Sequence, residues 1–171
     1  MASISANGSR GHHKFELTVT ETGTNTANNT SSISWSFVLS SLGGTYDWNY
    51  SNTVPVTYKV TINGTDYTGN IMKYDGDSTV TVRSGTNTIT HNNDGTKSIS
   101  YSFSVSSINQ SYLPGSASAS GTMALTNIAR KAIITSFTDF NDEGNPVIEY
   151  SNPGGFPINA RLEFADTNIN R

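Results

Sequence analysis

The 171-residue chain contains no cysteine, so neither a disulfide framework nor a thiolate zinc site can hold it together, and its stability must come from packing. Charge is scarce as well. Asp, Glu, Lys and Arg together make up 13% of the residues, and the 10 lysines and arginines form no basic run in a chain of formal net charge −3. That leaves no electrostatic footprint for nucleic acid. Apolar residues amount to 34%, and no run approaches the roughly 18–20 apolar residues that a membrane-spanning helix needs. The opening "MASISANGSRGHHKF" lacks the apolar stretch of a secretory signal, so synthesis in the cytoplasm is expected. The sequons Asn29-Thr30-Ser31 and Asn63-Gly64-Thr65 therefore carry little weight. No segment sustains a helical period.

What is present is Ser, Thr, Asn and Gly, interleaved with apolar residues at a period of two. Phe15, Leu17 and Val19 alternate with Glu16 and Thr18, and Ile33, Trp35, Phe37 and Leu39 alternate with Ser34, Ser36 and Val38. The rhythm returns in "VPVTYKVTIN", "STVTVRS", "KSISYSFSV" and "SASASGTMAL". Period two means strands with one buried face, and Trp35, in the middle of the cleanest run, reads as core. Asn63-Gly64 and Asp94-Gly95 supply hairpin chemistry, since positive φ is tolerated at Asn, Asp and Gly. The expectation is an all-β chain, with an antiparallel β-sandwich of roughly eight to ten strands in the first ~127 residues. Periodicity alone leaves a barrel-like closure open too.

After "TMALTNIARKA" the texture changes to a stretch denser in Pro, Gly and acidic residues, "IITSFTDFNDEGNPVIEYSNPGGFPINARLEF". This divides the chain into a β-sandwich domain over 1–128, a linker over 129–132, and the beginning of a second β domain over 133–171. A segment of about forty residues without disulfide or metal is too short to bury a core alone, so it reads as the opening of a longer protein.

Several segments taken together, "GHHKFELTVTET", "DWNYSNTVPVTYKVTING", "SGTNTITHNNDGTKSISYSFSV", "YLPGSASASGTMALTNIAR" and "ITSFTDFNDEGNPVIEYSNPGG", resemble the N-terminal region of large siphophage minor structural proteins, tail-associated proteins of phages of Gram-positive hosts. "ITHNNDGTKS" and the small-residue strand "ASASG" are the most distinctive parts. The resemblance implies a virion protein of the tail or baseplate, β-rich modules in series, other tail or baseplate proteins as partners, and a role in host-surface recognition. It also implies that the segment from Ile133 opens an immunoglobulin-like module. Where the family has a Pro before the Arg that ends its first module, this chain has Ala129. The resemblance brings no catalytic or binding residues with it. A homo-oligomer is expected, a trimer by analogy with tail-tip proteins. Flat, uncharged strand edges invite pairing with another copy, so an edge strand or a mobile "MASISANGSRG" arm is expected to dock on a neighbour.

The one stretch with a ligand-binding pattern is "GTYDWNYSN". On a strand, Tyr46, Trp48 and Tyr50 share one face, where they either pack inside or form a platform for sugar rings, with Asp47 and Asn49 as hydrogen-bonding margins. The need of a β core for large rings favours packing inside. His12 and His13 point to opposite faces of a strand and cannot readily chelate together, and "KYDGDST" lacks the Glu that would close a calcium loop. No metal or cofactor is expected. The acidic residues, Glu21 among them, read as solvated, and a nucleophile elbow and a phosphate loop are both missing. The expectation is a non-enzymatic tail or baseplate protein contributing to host recognition, with cell-wall saccharide as the ligand. The alternative is the noncatalytic wall-anchoring module of a larger phage- or prophage-encoded cell-wall-active enzyme.

Overall fold

The computed structural model describes residues 1–43, 50–74, 79–108, 112–140 and 146–152, without the side chains of 50–54, 137–140 and 146–147. Among them are ten strands and no helix: β1 (Ala2–Asn7), β2 (His13–Asn25), β3 (Thr30–Ser41), β4 (Tyr50–Ile62), β5 (Thr65–Tyr74), β6 (Val80–Thr90), β7 (Ser98–Ser106), β8 (Ala117–Ala124), β9 (Ile133–Phe140) and β10 (Pro146–Ser151). Eight of them build two four-stranded antiparallel sheets, ordered β1-β2-β3-β6 and β5-β4-β7-β8, while β9 and β10 pair as a separate ribbon. The all-β sandwich expected from period-two alternation is present.

Alternation sets the interior. On β2 the buried residues are His13, Phe15, Leu17 and Val19, and on β3 they are Ser31, Ile33, Trp35, Phe37 and Leu39. The facing sheet contributes Val56, Tyr58, Val60 and Ile62 from β4, and Ile99, Tyr101, Phe103 and Val105 from β7. Phe37 sits at the centre. Its ring lies 5.9 Å from Phe15 in the same sheet, and 5.1 Å from Phe103 and 5.7 Å from Tyr58 in the other. Burying each such side chain contributes about 1.5–3 kcal/mol, so this layer dominates the stability of the sandwich.

Three of the four edge strands carry a glycine opposite an aromatic residue of the neighbouring inner strand. The register pairs Gly85 of β6 with Trp35, Gly69 of β5 with Tyr58, and Gly121 of β8 with Tyr101. In each case the ring lies over the space a side chain would fill. A Cβ on Gly85 would stand 2.7 Å from Trp35 Cζ2, one on Gly69 2.5 Å from the Tyr58 hydroxyl, and one on Gly121 3.0 Å from the Tyr101 ring. The fourth edge, β1, sets Ala2 and Ala6 against Val19 and Phe15.

Both open sides of the sandwich are closed by these edges. On one side β1 packs on β8, with Ile4 against Gly121 and the small Ala117 and Ala119 nearby. On the other, Trp35 Nε1 donates to Asn87 Oδ1 (2.9 Å), Asn87 Nδ2 donates to the Tyr67 hydroxyl (2.7 Å), and the Trp35 and Tyr67 rings lie 4.7 Å apart. Arg83 caps the Tyr67 ring at 5.6 Å. The N-terminal segment is therefore no mobile arm over its first residues: Ala2–Asn7 pairs with Lys14–Val19, because its alternating Ala2, Ile4 and Ala6 half-bury against the core.

The two turn signals fare differently. Asn63 and Gly64 have φ of 45° and 83° and join Ile62 directly to Thr65, the geometry of a two-residue hairpin. Asp94-Gly95 does not close a hairpin. Its flanking strands pair elsewhere, β6 with β3 and β7 with β4, so this turn carries the chain from one sheet to the other. A turn residue dictates a local reversal but not which strands pair. Crossovers of this kind make β3 to β6 a two-stranded ribbon folded over on itself, with the β4–β5 hairpin on the facing sheet.

Because the Trp35 ring is held by Asn87 and Tyr67, it cannot yield to a new side chain on the opposite strand. Gly85→Ala is expected to destabilise the chain by about 1–3 kcal/mol in urea unfolding, whereas Gly23→Ala, which meets nothing within 4 Å, should change stability by less than about 0.5 kcal/mol.

Candidate functional site

The antiparallel strand order sorts the connections to two ends. One end gathers the β1–β2, β3–β4, β5–β6 and β7–β8 connections; the other gathers β2–β3, β4–β5 and β6–β7, and from it the chain leaves β8 toward β9. The first is the loop end, the second the linker end.

At the loop end, the β1–β2 and β7–β8 connections are laced together. Ser9 N donates to Ser116 O (2.8 Å), Ser116 N to Ser9 Oγ (3.1 Å), and Leu42 N to His12 O (3.0 Å). Ser107 Oγ accepts from Gly115 N (2.9 Å), while Leu113 and Pro114 are buried. Beneath them His13 meets Tyr74 edge-on at 5.3 Å. On this braced base Leu42, Ile108 and Tyr112 are 42%, 49% and 44% exposed, apolar groups placed at the surface where the core has no need of them. Tyr46, Asp47, Trp48 and Asn49 lie outside the described residues. Of Tyr50 only the backbone is described, at the loop-end start of β4 opposite Tyr74.

The outward face of the second sheet is a field of hydroxyls. Every outward position of β7 is serine, from Ser98 through Ser100, Ser102 and Ser104 to Ser106. Toward β5 this face dips into a shallow groove of about 460 Å³ lined by Thr57, Lys59, Thr68, Asn70, Ser104 and Ser106. Lys59 is held at its margin by Asp66 (2.7 Å), whose carboxyl is kept below its ordinary range by Lys59 and then by the Thr61 hydroxyl. Such a surface can exchange hydrogen bonds with a hydroxylated ligand.

The linker end carries three of the four buried polar residues seen among the described residues, Asn29, Ser31 and His91; the fourth, His13, lies at the loop end. His91, 5% exposed, lies with Nδ1 2.8 Å from Gly95 O and Nε2 2.7 Å from the Ser31 hydroxyl. Ser31 Oγ donates to Glu21 Oε1 (2.7 Å), and the other Glu21 oxygen accepts from Thr126 N (2.9 Å) and the Thr126 hydroxyl (2.8 Å). Asn29, at φ 54°, donates through Nδ2 to the carbonyls of His91 and Asn92. The segment after β8 is tied to the same turn, where Leu125 N donates to Lys97 O and Ile128 N to Gly95 O (3.0 Å), and to the β2–β3 turn, where Arg130 Nη1 donates to Thr26 O (3.2 Å). Thus "HNNDGTK", distinctive in the sequence and readable there only as a turn, is the hub to which the segment after β8 is fastened. Glu21 is correspondingly not a merely solvated acid. Partial burial raises its pKa, but the hydrogen bonds from Ser31 and Thr126 and the nearby His91 outweigh that and hold it below the ordinary value of 4.5. Among the described residues no three His, Asp or Glu side chains converge as metal ligands.

The fold is thus an antiparallel β-sandwich with two distinct ends, and its chain leaves from the end opposite the braced β1–β2 and β7–β8 connections. Set against known protein families, residues 1–147 match the family described as "Siphovirus protein of unknown function (DUF859)", a span that takes in the whole sandwich, the linker and β9. The chain belongs to this siphovirus family. No curated protein and no solved structure matches it.

Two predictions follow from the linker end. Gly95 sits at φ 83°, and a Cβ there would run into the Ile128 carbonyl oxygen; Gly95→Ala should lower stability by about 2–4 kcal/mol, read as a lowered Tm. Glu21, with its pKa depressed on folding, contributes stability that is present above its unfolded value and lost as pH falls through the folded one. Acidification below about pH 4.5 should therefore release the Thr126 amide to hydrogen exchange before the amides of β3 and β7.

Proposed function

We propose that this chain is a non-enzymatic structural module of the siphovirus virion, in the tail or baseplate, and that it contributes to recognition of the host surface. The observation that carries this reading is the polarity of the sandwich: the linker leaves from one end, so the braced loops with Leu42, Ile108 and Tyr112 face the opposite way. A module tethered at one end presents the other. Loops on a rigid β scaffold are the usual seat of recognition. A cell-wall saccharide is the ligand in this reading, because the groove beside the loop end offers hydroxyl, amide and ammonium groups to a polyhydroxylated chain while the loop end offers apolar contacts.

The test is binding of a fluorescent fusion of residues 1–171 to Gram-positive cells and to purified wall polysaccharide. Saturable binding is expected, reduced at least tenfold by Tyr112→Ala or Trp48→Ala in variants with unchanged Tm. Binding unaffected by both, but abolished by Asn70→Ala, would move recognition from the loop end to the groove. A folded wild type that binds neither cells nor polysaccharide would reduce the module to scaffolding.

A further inference from the structure

At the linker end the contacts of His91, Ser31 and Glu21 call for more hydrogens than a neutral His91 and an ionised Glu21 supply. Gly95 O can only accept, so the 2.8 Å contact with His91 Nδ1 requires a hydrogen on Nδ1. Ser31 has a single hydroxyl hydrogen, yet its oxygen stands 2.7 Å from both Glu21 Oε1 and His91 Nε2. With Glu21 ionised and His91 neutral, both neighbours of Ser31 would need that one hydrogen. One of the two short contacts would then set lone pair against lone pair in a buried site, where an unmade hydrogen bond is most costly. The chain is complete only if one further proton is present.

We propose that the His91–Ser31–Glu21 chain is a proton-dependent latch for the segment that follows β8: it closes with His91 as imidazolium and Glu21 as carboxylate, bridged by the Ser31 hydroxyl, and it loosens when His91 gives up its proton. In the closed form Nδ1 donates to Gly95 O, Nε2 donates to Ser31, Ser31 donates to Glu21, and Glu21 accepts twice more from Thr126. Loss of one proton to solvent leaves Ser31 able to serve His91 or Glu21 but not both. The anchors of Thr126 through Glu21 and of Ile128 through Gly95 then weaken together, since both run to this chain. The other charged groups around His91 are otherwise engaged: Asp94 on its own turn accepts from Thr96, and Arg130 on the linker donates to Thr26 O. Glu21 on β2 is thus the carboxylate that answers the imidazolium, and Asn29 in the β2–β3 turn and Ser31 on β3 are neutral. The depressed pKa of Glu21 agrees with its being the ionised partner. The latch lies where the sandwich hands over to β9, so its state sets how firmly the following segment is held.

The test uses the whole chain in two forms. In the wild type, ring ¹⁵N shifts should show His91 protonated on both nitrogens while the latch is closed, and the protection factor of the Thr126 amide should fall about tenfold as the ring deprotonates, the equivalent of one charge-assisted hydrogen bond. The discriminating variant is Glu21→Gln. Its amide oxygen can still accept from Thr126, and its NH₂ can donate to Ser31, whose hydroxyl then donates to a neutral His91 Nε2, so the hydrogens balance without the extra proton. Thr126 protection in this variant should persist and become independent of pH over the same range. A wild-type His91 that is neutral in the folded protein while Thr126 stays protected would overturn the proposal. So would a Glu21→Gln variant with the pH dependence of the wild type.

Discussion

The arrangement on which the rest of this sandwich depends is the pairing of an edge-strand glycine with an aromatic ring on the strand inside it. Trp35 over Gly85, Tyr58 over Gly69 and Tyr101 over Gly121 each solve two problems with one contact. The ring covers backbone that glycine leaves bare, and the missing Cβ lets a large side chain lie flat at the margin of a sheet where there is no further strand to pack against. Because the same device recurs on β6, β5 and β8, the inner strands can be broad and aromatic while the edges stay thin. The two sheets then close upon each other at both sides, by small residues along β1 and β8 and by the Trp35–Asn87–Tyr67 chain between β5 and β6.

Charged residues are only 13% of the total, and Ser and Thr cover the outward faces of the strands instead. Hydroxyls keep such faces wet without repelling a similar surface. The opposed loop and linker ends give the sandwich a direction.

The buried polar groups are concentrated at the linker end rather than scattered through the core. The His91 ring meets the Ser31 hydroxyl and Gly95 O, and Asn29 donates to the carbonyls of His91 and Asn92, so the turn between the sheets, the tip of the β2–β3 hairpin and the segment after β8 are fastened by one network. Apolar packing holds the body of the sandwich, whereas directional bonds fix the point at which the next segment departs. Hydrogen bonds specify orientation in a way that apolar contact does not.

Strand class and the buried face of nearly every strand were legible from alternation, because a half-buried strand has no other way to satisfy period two. The Asn63-Gly64 hairpin was legible for the same local reason. Even the polar core carried a signal: Ser31 is in phase with Ile33 and Trp35, and His91 with Ile89, so reading the period outward through those strands places a serine and a histidine inside. What sequence could not supply was partnership. Nothing local says that Gly85 lies opposite Trp35, that the Asp94-Gly95 turn joins two sheets instead of closing a hairpin, or that Glu21 reaches Thr126 across a separation of 105 residues. Those facts depend on strand pairing and crossover, and they are decided only when the whole core closes, since burial of all the inward faces at once selects one pairing among many that each turn would locally allow.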